Sequence, residues 1–430
     1  MPPTRSVQSR RSNPRKTFTG GKGKQRVVTI EGRTLKVSPV FDTLFLWMAE
    51  RDAIRRKRVA GEPAPWTDDP ILARYRFTNV FRVFDRTTQY ILKNVINRGS
   101  RALNECAFRV MLFRTFNRIS TWELLQAGIG PLTWRSFDVD TYAEVLGEAA
   151  ESGIALYASA YIMPAPQLGM KRNYENHLIL LRQMMQEDLP KRLQKVKHLE
   201  NAHEMITSYP SMGDFTAFQL LLDLNMMPHY GFSEDTWVSC GPGSASGLRK
   251  IFGDGVKGIE SAAMAYLRDT QHEHFKRLGI TEPPSLRPGR LGVSLVDLEH
   301  SLCECDKYSR VKHPNIKGKR TAIKAMFRAQ SGRLTADLPE RWASELMPEC
   351  SILTDTDDDN TEYEVSHIVR EALAEDGAVI YLVRWTGYGP EDDMWFEEED
   401  LRGAPEVLEA WRNRRALARR RAVKGRDSPR

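Results

Sequence analysis

Cysteine is scarce in this chain: five in 430 residues, an odd number. So sparse a set supports no disulfide framework and fits a reducing compartment. No apolar run approaches the roughly 18 residues of a membrane span, so no membrane partner is expected. The N-terminus is rich in Pro, Ser and Arg and has no apolar segment, which argues against a secretory signal there. No internal repeat is present, and period-two alternation is nearly absent before residue 360. His300, Cys303 and Cys305 read H-x-x-C-x-C, but on one helix they do not converge as zinc ligands do. No metal or other cofactor is expected.

What is present is segregated charge. The net charge is +7. Residues 1–40 are basic (Arg10-Arg11, Arg15-Lys16, Lys22, Lys24, Arg26), residues 355–362 are acidic, and residues 411–430 are basic again (Arg414-Arg415, Arg419 to Arg421, Lys424). Basic tails of this kind suit phosphate backbones or nuclear import, or are solvated without a specific partner. With 41% apolar residues, the chain can bury a large core and a small second one. The expected organisation is a disordered basic tail over 1–38, a helical domain over 40–310, a connector with an acidic linker over 311–360, a small domain over 361–415 and a basic tail over 416–430.

Helical periodicity begins at Phe41, Leu44, Phe45 and Met48 and stops at the Pro-rich break Gly61 to Pro65. A second helix is expected from Thr78 as N-cap through Val80, Phe84, Thr87, Ile91 and Val95. Others are expected over 101–117, from Thr121, and over 139–151, 173–187, 190–207, 243–252, 258–278 and 294–307. Beyond residue 360 the pattern changes. Tyr363 to Val369, Val379 to Trp385 and Met394 to Glu397 read as strands with a turn at Glu375-Asp-Gly377, and Pro405 to Arg415 reads as a capping helix with Val407, Leu408 and Trp411 on one face. The fold class is therefore multidomain: mainly α, followed by a small α+β domain with a three-stranded antiparallel sheet and a C-terminal helix.

Tyr363, Trp385 and Tyr388 have the composition of an open aromatic box for a quaternary ammonium, each ring contributing roughly 0.5–2 kcal/mol. The runs Tyr363-Glu-Val-Ser-His-Ile-Val, Tyr381-Leu-Val-Arg-Trp-Thr-Gly-Tyr388 and Asp393-Met-Trp-Phe-Glu-Glu-Glu-Asp-Leu401 resemble the chromodomain family, of the fungal kind. That resemblance implies that Tyr363, Trp385 and Tyr388 cage methyl-lysine. It also implies that a methylated histone tail inserts as a strand, that Val365 touches this peptide, and that acidic groups near Glu391 and Asp392 meet its cations. The family's proline after the third-strand Trp-Glu is absent here, since Phe396 follows Trp395. Trp395 and Leu382 are expected in the core.

Residues 208–225 carry a Pro-x-x-Gly turn between two helical segments, similar to a helix-hairpin-helix. Gly213 would allow the tight turn, Ala217 would let the helices approach, and helix N-terminal amides would hold one DNA phosphate. With Glu234-Asp235-Thr-Trp237 and the Gly241-Pro-Gly243 loop downstream, the region resembles the helix-hairpin-helix DNA glycosylases, which flip a base out of the duplex and use an aspartate. Over 40–310 the chain resembles a narrower family, the 5-hydroxymethyluracil DNA kinase helical domain, also described as α-glutamyl/putrescinyl thymine pyrophosphorylase-like. The residues that carry this are Arg76-Phe-Thr-Asn79-Val-Phe-Arg82-Val-Phe-Asp85-Arg86, Asp214 to Asn225, Gly241-Pro-Gly243 and Glu299-His-Ser-Leu-Cys-Glu304-Cys-Asp306-Lys307-Tyr308. The resemblance implies a glycosylase-derived α fold and DNA base hypermodification, in which an amine displaces an activated group on a thymine methyl carbon. No G-x-x-x-x-G-K-[ST] loop occurs, so any kinase activity belongs to another protein.

From the residues themselves, Asp223 and Asp235 are the candidate catalytic carboxylates, able to orient an amine or stabilise positive charge. Arg76, Arg82 and Arg86 are candidates for phosphates, Asn79 and Gln219 for the edge of a flipped base, and Gly213, Gly241 and Gly243 for close backbone approach to DNA. Competing structural roles remain: Asp85-Arg86 as a helix surface pair, Asp223 as a cap or a buried partner of an arginine, Asp235 as an N-cap. His272 and His274 read as solvated, Cys106 and Cys240 as packing residues, and Tyr157, Tyr161, Phe215 and Phe218 as core. The expected protein is nuclear and chromatin-associated, binding methylated histone tails and DNA, with enzymatic action on a modified thymine left open. The alternatives are a non-catalytic reader or adaptor, and a protein of mobile-element origin, although no integrase-like acidic triad stands out.

Overall fold

The computed structural model describes residues 26–158, 163–318, 320–327, 336–344, 365–373, 379–385 and 393–413. The chain divides into two compact units, Met1–Met347 and Pro348–Arg430. The basic segments before residue 26 and after 413, the acidic run 355–362, Tyr161, Tyr363, Tyr388, Glu391 and Asp392 lie outside the described residues.

The first unit opens with a hairpin within the segment expected to be tail: β1 Val27–Ile30 pairs antiparallel with β2 Arg33–Lys36. Alternation buries Val28, Ile30 and Leu35, and the turn at Glu31 and Gly32 takes φ of 45° and 71°. Positive φ at both central residues matches the strand twist, and Gly32 adopts it without a Cβ penalty. Helix α1, Val40–Ala60, then buries Phe41, Leu44, Phe45, Trp47 and Met48 and ends on Gly61 in the left-handed conformation.

The second predicted helix starts later than its pattern suggests. After α2, Pro70–Arg74, the chain runs irregularly to a 3-10 turn at Arg82–Phe84, then α3 Arg86–Tyr90 and a π-helical stretch Ile91–Ile96. The Asp85 carboxylate accepts the Asn79 backbone N–H at 2.7 Å, closing a loop where a helix from Thr78 would need its own ladder. The following helices are α4 Leu103–Phe116, α5 Ile119–Ile129, α6 Val139–Glu151 and α7 Asn173–Gln186. The expected helix 190–207 is two, α8 Leu189–Gln194 and α9 Leu199–Thr207, followed by α10 Asp214–Leu224 and α11 Pro242–Phe252. The expected helix 258–278 is also two, α12 Glu260–Asp269 and α13 Gln271–Arg277. A short hairpin, β3 Ser285–Arg287 with β4 Arg290–Leu291, leads into α14 Leu295–Lys312. Ser294 caps α14 by accepting the Asp297 N–H at 3.1 Å.

Helix α14 is the central post, packed against α1, α11, α12 and α2. Contact with α11 is close because two residues there have no side chain. A Cβ on Gly243 would lie 2.3 Å from Cys303 Sγ, and one on Gly247 would lie 2.6 Å from the Leu302 carbonyl oxygen. His274, expected to be solvated, is instead buried edge-on to Phe41 at 4.8 Å and beside Phe45 at 5.0 Å. Burial pushes it down to about 4, ahead of the nearby Arg26 and Arg277 charges, so it stays neutral and faces the Arg26 Nη2. His272 is exposed. No helix among the described residues is long and apolar enough to cross a membrane.

Within the expected connector, the described residues 320–327 and 336–344 belong to the first unit. Tyr75 bridges Met326, with Arg76 N–H donating to the Ala325 carbonyl and Phe327 N–H to the Arg74 carbonyl, each at 3.0 Å. Further on, Asp337 N–H donates to Gln89 at 3.0 Å and Glu340 pairs with Arg101, anchoring α15 Glu340–Ser344.

The second unit holds the antiparallel sheet β5 Val365–Leu373, β6 Val379–Trp385 and β7 Met394–Glu397 in the order β5-β6-β7. Residues 405–413 form the helix α16. Ile368, Tyr381, Val383, Leu401 and Leu408 make the core, with Val407, Trp411 and Phe396 against it. Trp395 does not join them: it is 39% exposed and carries the Arg370 guanidinium 5.2 Å over its ring. The register explains this. Tyr381 pairs with Phe396 on the inner face, so Leu382 and its partner Trp395 take the outer one.

Candidate functional site

Helices α9 and α10, on either side of the Pro-x-x-Gly segment, pack against each other. The left-handed residue in the turn between them is Ser211, at φ 60°, while Gly213 is extended at φ −69°. Gly213 is therefore not needed for the bend; its missing side chain leaves open space in front of α10. His203 Nε2 lies 2.8 Å from the Asp214 carbonyl oxygen, and Ala217 is fully buried between the helices. The dipole of α10 favours an anion at its N-terminus, but the first turn carries Asp214, whose charge opposes one there. Phe215, expected in the core, is 38% exposed at this end, whereas Phe218 is buried.

Asp223 is fully buried on α10. One carboxylate oxygen accepts from Arg82 Nη2 at 2.7 Å and the other from Arg114 Nε at 2.5 Å. Two guanidiniums neutralise the carboxylate and leave no face for a reactant. Arg82, a candidate for phosphate, is thereby turned inward. Gln219 is buried on the same helix.

Asp235 lies differently. Its carboxylate is partly exposed and accepts the Leu295 N–H at 3.0 Å, at the start of α14. Arg268 and Arg290 each stand 3.8 Å away. Asp235 thus caps a helix, though a distant one in sequence, while lining an open cleft of about 200 Å³ with Phe232, Glu234, Arg290, Asp297, Arg341 and Trp342. A crevice of about 10 Å³ behind it shares Glu234, Asp297 and Trp342 and reaches Arg82.

The cleft floor contains carboxylates that the sequence reading passed over. Asn225 locks the 231–235 loop by exchanging hydrogen bonds with the Phe232 backbone, both at 3.0 Å, and donates to Glu234 Oε1 at 3.1 Å. Asp297 accepts from Ser294 Oγ at 2.8 Å and from the Arg82 N–H at 3.3 Å. Burial, with repulsion from Asp297 next, pushes Glu234 up to about 8 although the cleft leaves it partly open to solvent. Burial also raises Asp297. Ser294-x-x-Asp297 before an apolar run was a legible cap signal; nothing local marked Glu234 or Trp342.

The remaining candidates scatter. Asn79 closes its own loop, its Nδ2 donating to the Phe84 carbonyl at 2.8 Å. Asp85 faces inward to Asn79 and to His300, 3.3 Å away, rather than pairing on a helix surface. Burial alone would lower His300, but Asp85, Glu304 and Glu299 together raise it. Arg76 and Arg86 are exposed. The Gly241 amide donates to Glu299 Oε1 at 3.1 Å, and Gly243 serves the α11–α14 contact, so both face protein. Among the described residues no group of His, Cys, Asp and Glu is arranged to hold a metal ion.

In the second unit, Trp385 is half-buried at the end of β6, opposite Val365 across the ladder and edge-on to Phe396 at 5.4 Å. Arg384, buried just before it, pairs with Asp393 through both guanidinium donors. Tyr363 and Tyr388 fall outside the described residues.

Residues 38–318 match the family described as "5-hmdU DNA kinase, helical domain", and residues 363–414 match the Chromo (chromatin organisation modifier) domain. Over 288 residues, 63% of this chain, the sequence is 25% identical to the 5-hmdU DNA kinase of Bacillus phage SP10, covering 45% of that protein. Over 55 residues, 13% of the chain, it is 44% identical to the H3 lysine-9 specific histone-lysine N-methyltransferase of Schizosaccharomyces pombe and 36% identical to Chromo domain-containing protein 1 of the same yeast. Those stretches cover 11% and 6% of the two yeast proteins, so the chain spans less than half the length of each relative. No solved structure matches.

Proposed function

The chain belongs to the family of the 5-hmdU DNA kinase helical domain and carries a chromo domain, and on that premise we propose a nuclear, chromatin-targeted protein whose helical unit acts on a modified thymine in DNA. The observation that carries this reading is the cleft formed by the 231–235 loop, the β3–β4 hairpin, the start of α14 and α15, with Asp235 on its wall. Asp235 is the one of the two candidate aspartates that a reactant can reach. Its carboxylate would orient a nucleophile or stabilise positive charge on a sugar or methylene carbon. Asp223 then acts through Arg82 and Arg114 as a positioning residue. Arg76 and Arg86 offer exposed charge for phosphates.

For the second unit we propose that Trp385, which lies opposite Val365 in the ladder, serves as one wall of a methyl-ammonium cage with Tyr363 and Tyr388 as the others, and that a methylated histone tail adds as a strand beside Val365. Trimethyl-lysine peptide affinity should fall about two- to thirty-fold on Trp385→Ala, as loss of one cation–π wall requires. Unchanged affinity removes the cage.

The DNA chemistry is tested by mass analysis of nucleosides from cells expressing the full chain, which supply co-substrates. A modified thymidine present with wild type and missing with Asp235→Asn supports the enzyme. Identical nucleosides in both support the second reading, a non-catalytic reader and adaptor, which the sealed Asp223 and the acidic Asp214 at the start of α10 favour.

A further inference from the structure

Three side chains shape the cleft without any role so far: Glu234, Asp297 and Trp342. The two carboxyl groups line both the cleft and the crevice behind it. Each is held by neutral donors, Asn225 Nδ2 on Glu234 and Ser294 Oγ with the Arg82 N–H on Asp297. Among the described residues neither has an arginine in direct salt-bridge contact, in contrast to Asp223. Two desolvated carboxyl groups without such a partner do not both ionise readily; one keeps a proton. Trp342, from α15, forms a wall of the same space, and Arg290 and Arg341 also line it.

We propose that the carboxyl groups of Glu234 and Asp297, which line the same cleft, carry one proton in total and read the hydrogen-bonding edge of a single unstacked nucleobase, with Trp342 as the surface the base stacks on. This rests on the reading of the cleft as a DNA-base site and adds which residues recognise the base. A carboxyl pair with one proton offers a donor beside acceptors. A pyrimidine-dione edge offers the complement, a carbonyl acceptor beside an N–H donor. Stacking on an indole is tolerant of base identity, so selectivity falls to the acid pair. Arg290 and Arg341 supply positive charge for the phosphate of the extruded nucleotide.

The pair gives recognition a pH dependence. Facing Glu234 are Asp297 from α14, Arg82 from the 3-10 turn, Arg290 from β4 and Asp235 beside it. Asp297 also faces His300 and Arg290. Burial, with repulsion from Asp297 next, raises Glu234 to about 8, so its proton is held at neutral pH and lost above it. Gln at position 234 keeps a donor and an acceptor at every pH.

The experiment compares full-length wild type with Glu234→Gln and Trp342→Ala, measuring affinity for a duplex with one mismatched thymine against its matched control, from pH 6 to pH 9. Wild type should prefer the mismatch about tenfold at pH 6, with the preference fading above pH 8. Glu234→Gln should keep the preference across the range, and Trp342→Ala should lose it while binding matched duplex as before. A wild-type preference independent of pH, or one unaltered by both substitutions, overturns the proposal. A carboxyl-carbon NMR titration of Glu234 in the free protein separates the two levels. Titration in the ordinary glutamate range sinks the pair even if DNA binds. A raised titration without any duplex binding sinks the nucleobase assignment together with the DNA reading of the cleft.

Discussion

Asp223 and Glu234 are both carboxylates of the helical unit influenced by Arg82, and their surroundings give them opposite characters. Asp223 has two guanidiniums on its oxygens and no exposed surface. Glu234 has an amide donor, a repelling Asp297 and a route to solvent. The difference teaches that counter-charge, more than burial, decides whether a carboxylate here is a structural post or a group with a proton to exchange.

The largest effect that sharpens this contrast is expected at Asp223. Asp223→Asn leaves Arg82 and Arg114 buried without their anion, at a cost of about 3–5 kcal/mol. Chemical denaturation should show the midpoint falling sharply; a loss near zero would mean that the arginines find another partner and the post is not one.

Glu234→Gln should act in the other direction, and only at high pH. The folded-state value, about 8, lies above the ordinary 4.5, so the native protein holds an extra proton between the two. Wild-type stability attributable to this group therefore declines as pH rises from about 4.5 to about 8. Thermal unfolding should find the substituted protein more stable than wild type at pH 8.5, with the gap narrowing as pH falls through this window. A constant difference across pH would break the contrast.

Packing supplies a smaller, charge-free reference. Gly247→Ala forces a methyl group toward the Leu302 carbonyl and should destabilise by about 1–3 kcal/mol at every pH. A pH-dependent loss would show that the α11–α14 contact and the acid cluster are not separate. The smallest effect is expected at the outward Trp395: replacement by Ala should shift stability by about 0.5 kcal/mol or less, measured by denaturation. A core-sized loss would place that ring inside after all.

Helices with clear stops were legible in sequence. The segment 139–151 ends where predicted, and α4, α7 and α11 deviate by a residue or two at their ends. The Val27–Lys36 hairpin was readable in principle from its alternation around Glu31-Gly32, but the basic charge of its surroundings concealed it. Trp395 was misassigned because hydrophobicity does not reveal which face of a strand is inside; pairing with Leu382 does. The helix expected from Thr78 fails because a side chain six residues on, Asp85, captures the Asn79 amide. Of the residues lining the cleft, Asp235 was singled out in the sequence as a candidate from its position downstream of the 208–225 segment. Asp223's arginines, Glu234's coupling to Asp297 and the arrival of Trp342 all depend on contacts between distant residues, which no local pattern encodes.

The most direct test of the account is amide hydrogen exchange of the full chain with and without duplex DNA carrying one mismatched thymine. The cleft reading predicts protection concentrated at residues 231–235 and 290–297, lost in Trp342→Ala. Protection elsewhere with those segments unchanged would contradict it.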